Sequence, residues 1–232
     1  LNNQDKNKKY KLLFLARHGQ GWHNVAFAHF GPEAWAEKWR FLGTDGEMTW
    51  GPDANLTDLG VAQAKENNQL WKDQLHKGAP MPTKFYVSPM QRSAHTLVHT
   101  WKDIEIPNPI VDDRLRETIG LHLCHKRGTK KEISEKFPSF TFTDSFTEQD
   151  ELFDKYTPTR ELWHQQFLRI NEYLQDLFEA EYNSSTEDDL VVSITSHAGT
   201  IRAFISVIEH RKFTISTGGM IPIVVCGERK TN

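Results

Sequence analysis

The stretch Leu12-Leu13-Phe14-Leu15-Ala16-Arg17-His18-Gly19-Gln20-Gly21-Trp22-His23-Asn24 organises the reading of the chain. Its apolar run over residues 11–16 has the length and make-up of a strand buried on both faces, as in a parallel sheet. That run empties directly into Arg-His-Gly. A cation and an imidazole side by side serve packing badly, whereas the C-terminal ends of strands in α/β sheets are where ligands gather. His18 is therefore read as a nucleophile and Arg17 as part of an oxyanion pocket.

Outward from this stretch, strand and helix alternate. Residues 25–54 hold Phe27, Phe30, Trp35, Trp39, Phe41 and Trp50, with one helix expected over 32–41 and Pro32 as its first residue. These aromatics read as a satellite core or, alternatively, as a substrate-facing wall. Thr57 is placed as the N-cap of a long helix whose buried face carries Val61, Ala64, Trp71 and Leu75, with Gly78 as its stop. Lys84–Val87 is the next strand, and a helix over 91–101 puts Arg92 in its first turn. Residues 110–111, beside Pro107 and Pro109, read as an edge strand leading to Asp112, Asp113 and Glu117.

Residues 118–157 look irregular, and loops of that length are usually lids or binding loops. A capping box, Thr129 with Glu132, marks one short helix inside the segment, stopped by Pro138. Phe137, Phe140, Phe142 and Phe146 would tether such a lid. Pro158 is expected to open a helix to about residue 180, buried along Trp163, Phe167, Ile170, Leu174 and Leu177. A polar loop over 183–189, a buried strand over 190–195, Ser196-His197-Ala198-Gly199, a helix through 208 and a strand over 221–226 complete the chain. The expected fold is a single α/β domain over residues 1–232. It is a three-layer sandwich whose mostly parallel central sheet is covered by helices on both faces, with insertions at about 25–54 and 118–157 over the active-site edge.

Composition narrows the function. The chain has 232 residues, 25% of them charged and 38% hydrophobic, and a net charge of -3, which argues against a general nucleic-acid binder. Two cysteines, Cys124 and Cys226, are too few for a disulfide scaffold and fit a reducing compartment. No apolar run approaches the roughly 20 residues of a membrane span. A cytoplasmic protein is expected, with a nuclear location also open, and its partner is a small molecule rather than nucleic acid or membrane.

Four strand ends deliver Arg17 with His18, Arg92, Glu117 and His197. In a parallel sheet those ends share one edge, so the groups can converge. Two arginines, two histidines and a carboxylate suit phosphoryl transfer, which needs positioning and neutralisation of the phosphoryl oxygens more than covalent help. A neutral imidazole can attack phosphorus and hold the phosphoryl group. A carboxyl group supplies the proton for the leaving alkoxide.

The motifs Leu15-Ala16-Arg17-His18-Gly19 with Asn24, Leu56-Thr57-Asp58-Leu59-Gly60 with Gln63 and Ala64, Ser88-Pro89-Met90-Gln91-Arg92-Ser93, and Ser196-His197-Ala198-Gly199 resemble the histidine phosphatase superfamily. Specifically, they resemble its cofactor-independent, phosphoglycerate mutase-like branch, over about residues 10–208. The resemblance implies a six-stranded sheet and a phosphohistidine on His18. It also implies phosphate binding by Arg17, Asn24, Arg92, His197 and Ala198, an acid at Glu117, and no metal or other cofactor. Gln20, Gly21, Trp22, His23 and Arg127 are placed as substrate-facing, and the basic run Lys126, Arg127, Lys130 and Lys131 as a site for a second anionic group or simply a solvated surface.

Departures from the family matter too. Ala198 stands where the phytase branch has Asp. Gly21 replaces a Ser or Thr of the mutases, and Glu117 is followed by Thr118-Ile119-Gly120 in place of their Glu-Arg-His-Tyr-Gly. Hydrolysis of a small phosphate ester is the preferred reading. A phosphoglycerate mutase and a non-catalytic phospho-ligand binder are the alternatives. Zinc at His95 with His99, or at His122, Cys124 and His125, is considered and set aside, because the His18 chemistry needs no metal.

Overall fold

Burial alternates along the first strand, Lys8–Arg17 (β1), in a way that assigns its two faces. Leu13 and Leu15 join one core, while Phe14 packs into another. The same split recurs in Lys84–Val87 (β2), where Tyr86 meets the first core and Phe85 and Val87 the second. Two cores on opposite faces of one sheet are the physical content of the expected three layers. The computed structural model describes residues 7–182 and 190–229. The polar loop expected over 183–189 lies outside the described residues.

The sheet has six strands in the order β4-β3-β2-β5-β1-β6, where β3 is Ile110–Val111, β4 Thr141–Phe142, β5 Val191–Ser196 and β6 Met220–Glu228. All pairings are parallel except that of β6 with β1. Helices α6 (Trp163–Tyr182) and α7 (Ala198–Val207) cover the first face through Ile170, Tyr173, Leu174, Ile201 and Phe204. Helices α2 (Asp58–His76), α3 (Gln91–Thr100) and α4 (Lys130–Lys136) cover the second through Trp71, Ala94, Leu97 and Ile133. As expected, Thr57 caps α2 by accepting from the Gly60 N–H, and Thr129 with Glu132 forms a capping box on α4.

Several expectations need correction. Residues 25–54 contain more helix than Pro32 announced, because α1 runs Trp22–Glu37 in two pieces joined at Gly31. That glycine takes φ 76°, which lets the chain break and restart at Pro32. A short 3-10 helix, Trp39–Phe41, follows. Strand β3 is not an edge: Phe142 and Thr141 pair beyond it, and Thr141 N–H donates to the Pro109 carbonyl at 2.8 Å. The segment 118–157 is more regular than expected, with a 3-10 helix at Leu123–His125 and a helix at Glu151–Tyr156, but its phenylalanines do tether it: Phe137, Phe140 and Phe146 are buried against the second core and Phe142 packs on it.

Pro158 also fails to start a helix. It lies between a short helix, α5 (Glu151–Tyr156), and α6. Arg160 adopts a positive φ of 60°, the Glu161 N–H goes to the Ile119 carbonyl, and the Leu162 N–H goes to the side chain of Gln165, so the helix begins at Trp163. Starting there leaves Trp163 half exposed instead of at the head of the buried stripe.

Candidate active site

The strand order places the C-terminal ends of β2, β5 and β1 side by side, with β3 beside β2. The loop after β1 is fixed before any ligand arrives. His18 N–H donates to the Ser196 carbonyl, and Gly19 N–H donates to Thr96 Oγ1, whose own proton goes to the Arg92 carbonyl. Gly19 and Gly60 are forced by close approach: a Cβ on Gly19 would stand 2.3 Å from the Gly60 carbonyl oxygen, and one on Gly60 2.1 Å from that of Gln20. Gln63 and Thr57 complete the dock by binding the Gln20 backbone.

His18 is buried, and its Nδ1 lies 2.7 Å from the Gly19 carbonyl oxygen. A carbonyl only accepts, so the proton sits on Nδ1 and the lone pair on Nε2. Burial, then the Arg92 charge, holds this imidazole well below its ordinary pKa, so it is neutral. The ring of His197 lies 5.0 Å away and that of His23 5.3 Å away.

Around His18 stand buried donors without hydrogen-bond partners among the described residues: Arg17 Nε, Arg92 Nε and Nη2, and His197 Nδ1. The remaining atoms of these groups are anchored. Arg17 Nη1 donates to the Ile215 carbonyl at 2.7 Å, and Arg92 Nη1 to that of Cys124 at 3.0 Å. His197 Nε2 is 2.8 Å from Ser88 Oγ, which can donate to it and so leave the proton on Nδ1. Buried donors left unpaired cost about 1–3 kcal/mol each, more when charged. Here they belong to the residue before His18, to a guanidinium whose charge acts on His18 and to a ring 5.0 Å from it, a grouping suited to an anion.

The proposed acid is equally anchored. Glu117 accepts from the Thr118 and Gly199 N–H groups at 3.0 and 3.1 Å. The backbone before it is laced to β5 and α7, because Ser196 Oγ donates to the Leu115 carbonyl and Thr200 Oγ1 to that of Arg116, each at 2.6 Å. The Gly199 bond sets the carboxylate at the start of α7, two residues beyond His197, and its charge acts on both Arg17 and Arg92.

A family model for the histidine phosphatase superfamily (branch 1) matches residues 13–217. The chain belongs to this superfamily. It is 36% identical over 231 residues to a "Probable phosphoglycerate mutase" of Arthroderma benhamiae, covering 97% of this chain and 66% of that one. It is 38% identical over 220 residues to "Phosphomutase-like protein 3" of Candida albicans, covering 94% and 66%. The chain thus spans just under two thirds of these relatives. Among solved structures, a putative alpha-ribazole-5'-P phosphatase from Escherichia coli superposes with a TM-score of 0.58 at 16% identity, covering 96% of each chain. A mycobacterial glucosyl-3-phosphoglycerate phosphatase solved with VO3 gives 0.53 at 19%, covering 91% and 92%. Both share the fold. Members of the superfamily are phosphatases or mutases acting on small phosphorylated molecules.

Within this superfamily fold, the remaining candidates separate. Asn24 Oδ1 accepts from the Gly21 N–H at 3.0 Å, a capping role that leaves its amide donors for a ligand. Ala198 opens α7 next to His197. Gln20 holds Thr57 through its side chain, and Trp22 is over a third exposed at the start of α1. Arg127 is corrected: its guanidinium is buried and bound to Asp113 and to the carbonyls of Thr147, Gly128 and Gln149, so it is structural. Its neighbours in the basic run lean on aromatic rings or on Glu135.

Two residues gain importance. His23, placed as substrate-facing from the sequence, packs its ring 5.3 Å from that of His18. A Cβ on Gly21 would press within 2.7 Å of its Nδ1, so the missing mutase hydroxyl makes room for this ring. Asp53 gave no signal within its turn-rich stretch. It is buried 3.9 Å from Arg92 Nη1, accepts from the Gln91 N–H, and burial raises its carboxyl to about 7 against the pull of Arg92.

Proposed function

We propose that this chain is a phosphomonoesterase that works through a phosphohistidine on His18 without a metal. The carrying observation is the His18 tautomer: Nδ1–H held by the Gly19 carbonyl leaves the lone pair on Nε2, in a site where Arg17, Arg92 and His197 keep buried donors unpaired among the described residues. Those donors would bind the phosphoryl oxygens, and His18 Nε2 would attack phosphorus in line as the ester P–O bond breaks. Glu117 would protonate the departing alkoxide and, as carboxylate, then take a proton from the water that attacks the phosphohistidine. Inorganic phosphate leaves and the enzyme returns to its starting state.

Hydrolysis is favoured over transfer by the course of the chain beyond Glu117. Ile119 is fully buried with its N–H on Glu161, and Gly120 turns at φ 91° against the Tyr156 carbonyl, so the segment leads into protein instead of along a substrate. The relatives' names support the mutase as a second reading. Hydrolysis of p-nitrophenyl phosphate in the presence of a chelator, with acid-quenched protein carrying phosphohistidine, is the expected result. His18→Ala should abolish both. Turnover that survives His18→Ala, or is lost to the chelator, overturns the mechanism.

A further inference from the structure

Residues 122–125 hold a group of side chains that the proposed hydrolysis leaves unused. The 3-10 helix Leu123–His125 has His122 as its N-cap, and the His125 N–H closes the turn on the His122 carbonyl at 2.8 Å. Side chains three apart eclipse in such a turn. The two imidazoles accordingly stack, with centroids 4.9 Å apart and planes 22° from parallel. Cys124, between them in sequence, is buried in the aromatic cluster of the first insertion with Trp35 and Trp50. The donor atoms of His122, Cys124 and His125 all lie within 4.8 Å of one another. His125 is only 7% exposed, and its Nδ1 has no partner among the described residues. The backbone beneath is held fast. The Cys124 carbonyl accepts from Arg92 Nη1 at 3.0 Å and the His125 carbonyl from Arg116 Nη2 at 2.6 Å, and Arg116 is itself gripped by Asp150. A fixed backbone that carries an unpaired buried nitrogen beside a thiol is a ready ligand frame.

The donor set selects the ion. One sulfur and two imidazoles, grouped without a carboxylate among the described residues, exclude the oxygen-seeking cations calcium and magnesium. Zinc closes its structural sites with four ligands, whereas two His and one Cys in a trigonal arrangement are a copper set. Charge separates the two ions further. Copper(I) that enters as the thiol proton leaves keeps the charge of the site unchanged. Zinc(II) would add a positive charge beside Arg92 and Arg116, whose guanidinium groups already sit on the carbonyls of Cys124 and His125. With metal–ligand bonds of about 2.0–2.3 Å, side-chain rotations of about 1 Å bring all three donors onto one ion.

We propose that His122, Cys124 and His125 form a binding site for one copper(I) ion, independent of the chemistry at His18. Binding forms a Cu–S bond and two Cu–N bonds and releases the thiol proton to solvent, with no change of oxidation state. The exposed Cys226 would also take copper(I), so the measurement is made on the Cys226→Ser chain, reduced and free of oxygen. Titration against the copper(I)–bicinchoninate complex should move one copper per chain to the protein. On that background Cys124→Ser should weaken binding by about 100-fold or more, and His122→Phe or His125→Phe by about 10-fold or more, since even outer-shell partners of a metal cost 10–100-fold.

X-ray absorption at the copper edge should show one sulfur and two imidazole nitrogens around the ion, a reading that needs no ligand variant to fold. Four results would each overturn the site. They are copper that binds the unsubstituted chain but not Cys226→Ser, copper kept in full by Cys124→Ser, a copper shell without sulfur, and zinc that displaces copper(I) at equal concentration.

Discussion

Two sets of buried or half-buried arginines lie close together in this protein, and they are treated differently. In the first, every guanidinium has a carboxylate. Arg116 grips Asp150 through two bonds of 2.6 and 2.9 Å, Arg127 holds Asp113, Arg169 pairs with Glu161 at 2.8 and 2.7 Å, and Arg114 joins Asp112 to Asp176. This set fastens residues 113–161 to the body of the fold. In the second, Arg17 and Arg92 keep donors unpaired beside three imidazoles. Guanidinium groups gripped by carboxylates at hydrogen-bond distance hold structure, whereas Arg92, with Asp53 no closer than 3.9 Å and two nitrogens open, and Arg17 keep donors for a ligand. The difference is in what surrounds each arginine, which neither residue type nor burial reveals.

The sharpest way to break that contrast is to remove one arginine from the open set. Arg92→Met should lower kcat/KM for p-nitrophenyl phosphate by about 10^3–10^5-fold, the scale of a guanidinium that neutralises a transferring phosphoryl group. Its thermal midpoint should fall less than that of Asp150→Ala. Asp150→Ala strands Arg116 and should cost about 3–5 kcal/mol in denaturant unfolding while leaving the surviving folded enzyme largely active. If the two variants exchange these effects, the division between networks is wrong.

Glu117→Gln sharpens it further. Esters with alkyl leaving groups should slow by about 10^2-fold or more and p-nitrophenyl phosphate far less, because a good leaving group needs no proton. Equal losses on both would move the acid elsewhere.

The smallest effect is on stability against pH. The folded state keeps His18, His23, His125 and His197 neutral, chiefly through burial. Below about 6.5 the unfolded chain takes up protons that the folded one refuses, so stability falls as pH falls, by at most about 1.4 kcal/mol per pH unit for each imidazole. Asp53 works the other way: its carboxyl, raised to about 7, keeps a proton that the unfolded chain loses above about 4. The imidazoles outnumber it, so unfolding free energy should decline from pH 6.5 to 4.5. A flat profile would mean that these rings are protonated in the fold.

Much of the fold was legible in sequence where a local rule had no competitor. Lys84–Val87, the Thr129 capping box and the arrival of Arg92 in a first turn are all set by neighbours within a few residues. The failures came where distant contacts decide. Strand β4 is two residues long, too short for any periodicity, and exists because β3 offers it a partner. Pro158 carried a genuine start signal that was overruled by the Glu161–Arg169 pair and by Ile119. Within the site, the residue types at each strand end were readable. What could not be read was saturation: Arg127 looked as available as Arg92 until its partners at 113 and 147–149 were in view.

The back-to-back glycines at 19 and 60 carry a consequence for engineering. With about 2 Å between each imagined Cβ and the opposing carbonyl, the nucleophile loop and the start of α2 form one interlocked joint rather than two adjoining parts. A chimera that swaps in the first from a relative without the second would mate two surfaces shaped for other counterparts. Recombination between members of this fold should therefore place its crossovers outside residues 17–63, and libraries cut inside that span should return mostly inactive clones even when every catalytic side chain is present.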